Sequence, residues 1–230
     1  MTRKKIVFVI VEGLSDETAL GAILQNIYDS NQVHIEVVRG DITTEKGARQ
    51  HNILLKIGNK VKEYLNKYKV KKSDFQEIIH IVDMDGVYIQ DTNIIEDKNL
   101  TETVYSTTNI TTNNKSNIIQ RNQQKSENIN KICTNPAVMK IPYRVFYMSC
   151  NLDHVLYGKI NSTNAEKKRD SIKFAQQYKE NVKGFLSFIS QSNFSVKMPY
   201  KESWQFIKQG LHSLERHTNF WICFSKTKKR

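Results

Sequence analysis

Cysteine is scarce in this sequence, and its number and spacing exclude two kinds of protein. There are three cysteines, Cys133, Cys150 and Cys223, among 230 residues. An odd number of widely spaced cysteines does not form the disulfide framework of a small secreted protein, and it lacks the spacing of a zinc site. We therefore expect a reducing, cytoplasmic environment and no structural zinc.

Long hydrophobic runs and nucleotide-binding motifs are also missing. The apolar run at residues 6–11 ends at Glu12 and is much shorter than the roughly 20 residues that cross a bilayer. The chain has no Walker A pattern, in which a glycine-rich loop and a lysine hold the phosphates of ATP. We expect no membrane partner and no ATPase activity of the chain's own.

Acidic residues are fewer than basic ones. The 35 Lys and Arg residues against 23 Asp and Glu give a formal net charge of +12. This excess favours a polyanionic partner such as RNA or DNA, although a chain that is simply rich in lysine is the alternative. A helix predicted at residues 47–70 has a basic outer face, which would contact either phosphates or solvent.

Strand and helix patterns alternate along the first half of the chain. Residues 6–11 are apolar without polar alternation, which is typical of a strand buried on both faces. A helix with its N-cap at Ser15 is predicted to follow, then strands at 33–38 and 75–82 with the 47–70 helix between them, and a further strand at 143–148. This order predicts an α/β fold with a mostly parallel, Rossmann-like sheet flanked by helices.

Residues 88–137 differ in composition, being rich in Asn, Thr, Ser, Gln and Lys. We interpret them as a polar insertion that either contacts substrate or is only a flexible surface loop. Its end, residues 116–132, has helical spacing, with isoleucines predicted to dock and with Arg121, Lys125 and Lys131 predicted to stay outside.

The second half of the chain is predicted to be mainly helical. We divide the sequence into residues 1–158 and a C-terminal region, 159–230. Helices are predicted at 165–178, 182–189 and 200–217, the last with Trp204 in the core rather than on a binding surface. Residues 220–224 are expected to add a short strand or an apolar cap, before a basic tail at 226–230.

Acidic residues follow two of the predicted strands. Glu12 ends the first strand, and Asp83 and Asp85 end a later one. Asp83 and Asp85 are predicted to alternate along a strand, with their side chains pointing the same way about 6.5 Å apart. Carboxyl ends of parallel strands meet at one edge, where α/β sheets bind ligands. One acid alone is equally well an ordinary turn or surface residue, but two buried strands ending in acids predict an Mg²⁺ or Mn²⁺ site.

These residues carry a family resemblance. Val11-Glu12-Gly13 after one strand, with Asp83-Met84-Asp85 after another, resembles the Toprim domain of topoisomerases, primases, small ribonucleases and overcoming-lysogenization-defect (OLD) nucleases. The second acid four residues after Glu12, Asp16, and the pair Ser149 and Asp153 after a further strand are similar to the pattern of the OLD-like branch. The resemblance covers residues 4–158.

The resemblance implies a metal-dependent nuclease that cleaves RNA, including tRNA, or DNA. It implies catalytic roles for Glu12, Asp83 and Asp85, and metal binding by Glu12, Asp16, Asp83, Asp85 and Asp153. Stand-alone Toprim proteins of this kind resemble effectors of bacterial abortive-infection defence, such as the phage anti-restriction-induced system. A separately encoded ABC-type ATPase would then restrain the nuclease until infection. A homodimer is the other assembly that we consider for this chain.

Other candidates come from the later part of the chain. We expect Ser149, Lys201 and Arg216 to contact substrate, the last two by facing phosphates. His154, next to Asp153, is either a general base or only a hydrogen-bonded residue beside the strand end. The alternative to the enzyme is a non-catalytic Toprim-fold module that binds nucleic acid or the ATPase.

Overall fold

A mixed, mostly parallel β-sheet forms the centre of the molecule, for which the computed structural model describes residues 5–28, 33–37 and 40–225. Its helices and strands, in chain order, are β1 (Ile6–Val11), α1 (Leu14–Tyr28), β2 (Val33–Val37), α2 (Ile53–Tyr68), β3 (Phe75–Asp83), β4 (Ile94–Glu96), β5 (Val104–Tyr105), β6 (Ile110–Thr112), α3 (Lys115–Ile132), β7 (Ala137–Val138), β8 (Ile141–Ser149), α4 (Leu152–Tyr157), α5 (Asn164–Tyr178), α6 (Val182–Gln191), α7 (Tyr200–Phe206) and β9 (His217–Thr218).

The strand order of the main sheet is β2-β1-β3-β8-β7, and β9 also pairs with β8. Neighbours among β2, β1, β3 and β8 are parallel, whereas β7 and β9 run antiparallel to β8. The carboxyl ends of β1, β3 and β8 therefore lie side by side, with Asp83 opposite Met148 in the register. The predicted α/β class with a mostly parallel sheet is confirmed.

Helices cover both faces of this sheet. Side chains of β1 alternate between two cores: Phe8 and Ile10 pack with α2, α3 and α7, while Val7, Val9 and Val11 pack with α1, α4, α5 and α6. The first strand is thus buried on both faces, as its continuous apolar run predicts. Trp204 is 3% exposed and belongs to the first core, which confirms its predicted burial.

The insertion has a structure of its own. A small sheet of order β4-β6-β5 packs beneath α3 around a third apolar cluster, with Ile94, Ile110 and Ile118 at its centre. The helix predicted at 116–132 is present as α3, within one residue of its predicted bounds. The polar composition of 88–137 concealed this sheet because few apolar side chains suffice to fill so small a core.

Two predicted helices are shorter than expected. The helix predicted at 47–70 begins only at Ile53, because residues 50–52 before it form turns, and it ends before Lys69, which has a φ of 54°. The helix predicted at 200–217 stops at Phe206, and turns follow with Gly210 at a φ of 51°. Residues of the predicted 220–224 segment form a short 3₁₀-helix, Phe220–Cys223, whose buried Phe220 caps the second core.

The remaining boundaries differ little from the predictions. The strand predicted at 143–148 is β8, which begins two residues earlier than predicted and includes Ser149. The basic tail at 226–230 and the predicted end of the second strand at Val38 lie outside the described residues. Within 5–28, 33–37 and 40–225, no helix is both long enough and apolar enough to cross a membrane.

Candidate active site

Glu12 and Asp83 meet where β1 and β3 end. The backbone N–H of Asp83 donates to Oε1 of Glu12 at 3.1 Å. The Asp83 carboxylate in turn accepts the N–H of Leu152 through Oδ1 at 2.9 Å, at the start of α4. Neighbouring parallel strands therefore bring together two acids that the sequence predicted to converge.

Asp85 lies beyond the strand rather than in it. β3 ends at Asp83, and the N–H groups of Met84 and Asp85 donate to the carbonyl of Cys150 at 2.9 and 2.7 Å. Asp85 adopts a left-handed φ of 47°, which turns its side chain away from the alternation of an extended strand. The prediction that Asp83 and Asp85 alternate along one strand was wrong, because the chain turns there to pair with the segment after β8.

Lys125 is buried among the acids. Its side chain is 0% exposed, and its Nζ lies 2.6 Å from Oδ2 of Asp85 and 2.7 Å from Oδ2 of Asp41. The prediction that Lys125 stays outside was wrong. Lys125 lies seven residues after Ile118 and four before Ile129, so helical spacing puts it on the docked stripe of α3. That spacing was the available signal, and the charge of Lys125 concealed it.

Arg121 is also turned toward the site, contrary to its predicted exposure. Its guanidinium donates to the carbonyl of Asp85 at 2.8 Å and to the hydroxyl of Tyr105 at 2.6 Å. It is one turn before Lys125 on the same face of α3. Arg121 therefore links the turn at Asp85 to β5 of the insertion, whereas Lys131 remains half-exposed.

Asp41 is a site residue that sequence reasoning did not identify. It follows β2, whose carboxyl end lies beside that of β1. One carboxylate oxygen accepts the N–H and hydroxyl of Thr43 at 2.7 and 2.6 Å, and the other pairs with Lys125. Its position after a third parallel strand was the signal that would have found it.

Asp16 and Asp153 lie next to this cluster. Asp16 accepts the N–H of Gly13 at 2.9 Å from within the first turn of α1, which begins after Gly13, two residues before the predicted cap at Ser15. Asp153 is in the first turn of α4 and lies 3.6 Å from Nζ of Lys167. The negative charge of Asp153 contributes to the raised pKa of Asp16, so these two predicted metal ligands are close enough to interact.

Burial and mutual repulsion shift the pKa values of the acids. Burial, with repulsion from Asp41, Asp83 and Asp85, raises the pKa of Glu12 well above its usual range. Burial raises the pKa of Asp83 in the same way, with repulsion from Asp16 and Asp85 added. Burial also raises the pKa of Asp16 to about 6. Burial would raise the pKa of Asp41 too, but Lys125 outweighs it and lowers that pKa.

A cleft of about 310 Å³ opens beside Asp83 and Asp85. One wall comes from the insertion, including Tyr105, and the other from the loop after α4 and the start of α5, including Asn161 and Lys167. Besides Asp83 and Asp85, the lining side chains offer hydroxyl, amide and ammonium groups and the carboxylate of Glu102. The insertion therefore helps to form the cleft and is not only a surface loop.

The predicted substrate-binding residues are dispersed. Ser149 is 0% exposed, and its hydroxyl donates to the carbonyl of His212 at 2.7 Å. Arg216 donates to the carbonyl of Val155 at 2.7 Å and stacks on Phe194, while Lys201 is exposed on α7. None of the three lines the cleft beside the acids.

His154 is held as a hydrogen-bonded neighbour. Its Nδ1 accepts the N–H of Cys150 at 3.2 Å, and burial, with repulsion from Arg216, lowers its pKa to about 4. A neutral imidazole whose acceptor is already used is poorly placed to act as a general base. The structure favours the second of the two readings of this residue.

The chemical type of the donors at this site suits a divalent ion, but their positions in the structure are not grouped to hold one. Carboxylate oxygens are the ligands that Mg²⁺ and Mn²⁺ prefer, and a cation would reverse the raised pKa values of Glu12 and Asp83. In the described part of the chain, however, no three His, Cys, Asp or Glu side chains are grouped to hold one metal ion. Oδ2 of Asp85 is paired with Lys125, so a metal ion at this oxygen would take the place of the ammonium.

Comparisons of the chain with models of known protein families, with curated proteins and with solved structures found no match. The α/β class therefore rests on the strand order and pairing described above. The candidate site rests on its own residues, which are the acids at the carboxyl ends of β1, β2 and β3 and the cations of α3.

Proposed function

We propose that this chain is a Toprim-type nuclease that hydrolyses phosphodiester bonds of RNA or DNA with Mg²⁺ or Mn²⁺. One observation carries the proposal: Glu12 and Asp83 end adjacent parallel strands and are in direct contact, with Asp85 two residues further on. Acids are costly to bury side by side unless a cation joins them. The net charge of +12 supports a polyanionic substrate.

Each residue has a distinct task in this account. Glu12, Asp83 and Asp85 would hold the metal, with Asp16 and Asp153 as further ligands, and the bound ion would supply charge stabilisation and an activated water. Burial raises the pKa of Glu12 when no metal is bound, and a bound cation would favour the charged carboxylate, of which only Oε1 is used by Asp83. The Leu152 N–H orients Asp83, and Lys167 faces the cleft that would receive the substrate.

Cleavage by the purified protein tests this proposal. We would incubate it with Mg²⁺ or Mn²⁺ and total RNA, tRNA or plasmid DNA, with EDTA in parallel. We expect fragmentation of at least one substrate, and its loss with EDTA and in Glu12→Gln. The matched control is Glu180→Gln, an exposed acid outside the site, which should cleave like the wild type. Intact substrates with both metals, or equal cleavage by Glu12→Gln, would refute the assignment.

We further propose a cytoplasmic effector of anti-phage defence that a partner ABC-type ATPase restrains. This step rests on the Toprim resemblance and on the lack of a Walker A motif in the chain. Expression alone, or with its genomic neighbour during phage infection, should arrest growth and fragment nucleic acid. Glu12→Ala and Asp83→Ala should each remove the toxicity without loss of folded protein, and equally toxic, equally protective variants would contradict the proposal.

The second candidate, a non-catalytic module that binds nucleic acid or the ATPase, is favoured by one observation. Lys125 pairs with Asp41 and Asp85, so two of the acids have a counter-charge without a metal. A binding module would retard RNA or DNA in a gel without cutting it, equally with EDTA and with Mn²⁺. Metal-dependent cleavage that Glu12→Gln abolishes would exclude this candidate.

A further inference from the structure

The Lys125 ammonium is the positive centre of the acid cluster. It has no exposed surface, and it lies within 2.7 Å of carboxylate oxygens from two different loops, Asp41 and Asp85. It is also close enough to Glu12 for the two charges to interact. A buried ammonium is stable only when carboxylates compensate it, so Lys125 and these acids depend on one another.

A metal ion and Lys125 would compete for Asp85. An Asp85 oxygen 2.6 Å from Nζ is already used by a positive charge. A divalent cation bound to the same carboxylate would repel the ammonium at short range in a buried setting. A metal ion can therefore use Oδ2 of Asp85 only if the Lys125 ammonium leaves it.

We propose that the Lys125 ammonium holds the place of a divalent cation at Asp85 in the resting chain, and that metal binding displaces Lys125 together with the middle of α3. The inference rests on the proposed function, because it takes Asp85 as a metal ligand. Lys125 is here a positioning residue, which keeps Asp41 and Asp85 in place until the metal arrives.

The contacts of α3 determine what such a displacement would move. Arg121 connects the helix to Tyr105 in the cleft wall, and Asn122 donates to the carbonyl of Gly86 at 3.4 Å. Asn128 donates to the carbonyl of Thr43 at 2.7 Å in the loop that carries Asp41. A metal ion that binds better to the displaced arrangement shifts the population of α3 toward it, and the insertion wall of the cleft moves with the helix.

Mn²⁺ binding by a lysine variant tests the competition. Lys125→Met keeps the length of the side chain and removes its charge, and Lys131→Met is the matched control on the same helix. By calorimetry, Lys125→Met should bind Mn²⁺ at least about tenfold more tightly than the wild type, because the competing charge is gone. Lys131→Met should match the wild type. Unchanged or weaker binding by Lys125→Met would overturn the proposal.

Amide hydrogen exchange of the wild-type protein provides a second test, which decides the matter if Lys125→Met does not fold. Saturating Mn²⁺ should speed exchange over residues 115–132, and unchanged or slower exchange would overturn the proposal. The two proposals fail separately. Faster exchange without nucleic-acid cleavage would support the displacement of Lys125 and refute the nuclease. Cleavage without a change in exchange would support the nuclease and refute the displacement.

Discussion

The backbone N–H of Asp83 donates to the carboxylate of Glu12, across 71 residues of sequence. This bond fixes the relative position of the ends of β1 and β3, and it makes the Glu12 side chain part of the main-chain pairing at the sheet edge. An acid that accepts a main-chain N–H while burial raises its pKa is both anchored and easily protonated. Both properties lead to measurable consequences.

Glu12→Gln should stabilise the metal-free protein at neutral pH. The amide keeps an oxygen that accepts the Asp83 N–H and removes a charge that burial and neighbouring acids disfavour. A gain of about 1 kcal/mol raises the Tm of a chain of this size by roughly 2–4 °C. Thermal denaturation in EDTA measures it, with Glu180→Gln as the control. A large drop in Tm for Glu12→Gln would show that the charge has a structural role.

Asp16 should make stability fall as pH rises. Its pKa is about 6 in the folded chain against the ordinary 3.8, so the fold favours the protonated carboxyl. Its contribution is complete below about pH 3.8 and is lost as the pH rises through about 6. Urea denaturation between about pH 4 and pH 7 should show a shallower decline for Asp16→Asn, which retains a capping oxygen.

The control for this comparison is Asp91→Asn, which changes an exposed aspartate outside the site. Asp91→Asn should follow the wild-type pH dependence. If the wild type and Asp16→Asn lose stability in parallel as the pH rises, the Asp16 carboxyl is not titrating in this range.

Arg121 should stabilise the turn at Asp85. Removing its bonds to the Asp85 carbonyl and the Tyr105 hydroxyl in Arg121→Met should cost about 1–3 kcal/mol, because each leaves an acceptor without its charged donor. Urea denaturation of the metal-free protein measures this loss. Arg169→Met, on the exposed face of α5, should change stability by no more than about 0.5 kcal/mol. Equal effects of the two variants would contradict the role of Arg121.

The sheet and the convergence of Glu12 with Asp83 were predictable from local pattern. Continuous apolar runs in β1 and β3 identify buried strands, and parallel pairing puts both carboxyl ends at one edge. The Asp85 turn was not predictable, because its left-handed backbone depends on hydrogen bonds to Cys150, which is distant in the sequence. The early end of α7 at Phe206 was likewise not predicted, since apolar spacing continued through Gly210.

Lys125 shows the limit of reading charge as exposure. Its position on the helix predicts that the side chain is buried, whereas its charge predicts that the side chain is exposed to solvent. Lys125 is buried because Asp41 and Asp85, from two other loops, pair with its ammonium. Asp41 was missed for the same reason, since its role depends on a lysine 84 positions later in the printed sequence. The site therefore becomes visible only when the cations of α3 and the acids of the sheet edge are considered together.

Calorimetric titration with Mn²⁺ tests most directly whether the strand-end acids bind a divalent cation, on which both the nuclease and the displacement of Lys125 depend. The wild type should bind Mn²⁺, and the double variant Asp83→Asn with Asp85→Asn should lose this binding while it retains its far-UV circular dichroism. The double variant Asp91→Asn with Glu180→Gln, which changes two exposed acids outside the site, should bind like the wild type. Equal binding by the strand-end variant, or no binding by the wild type, would contradict the account.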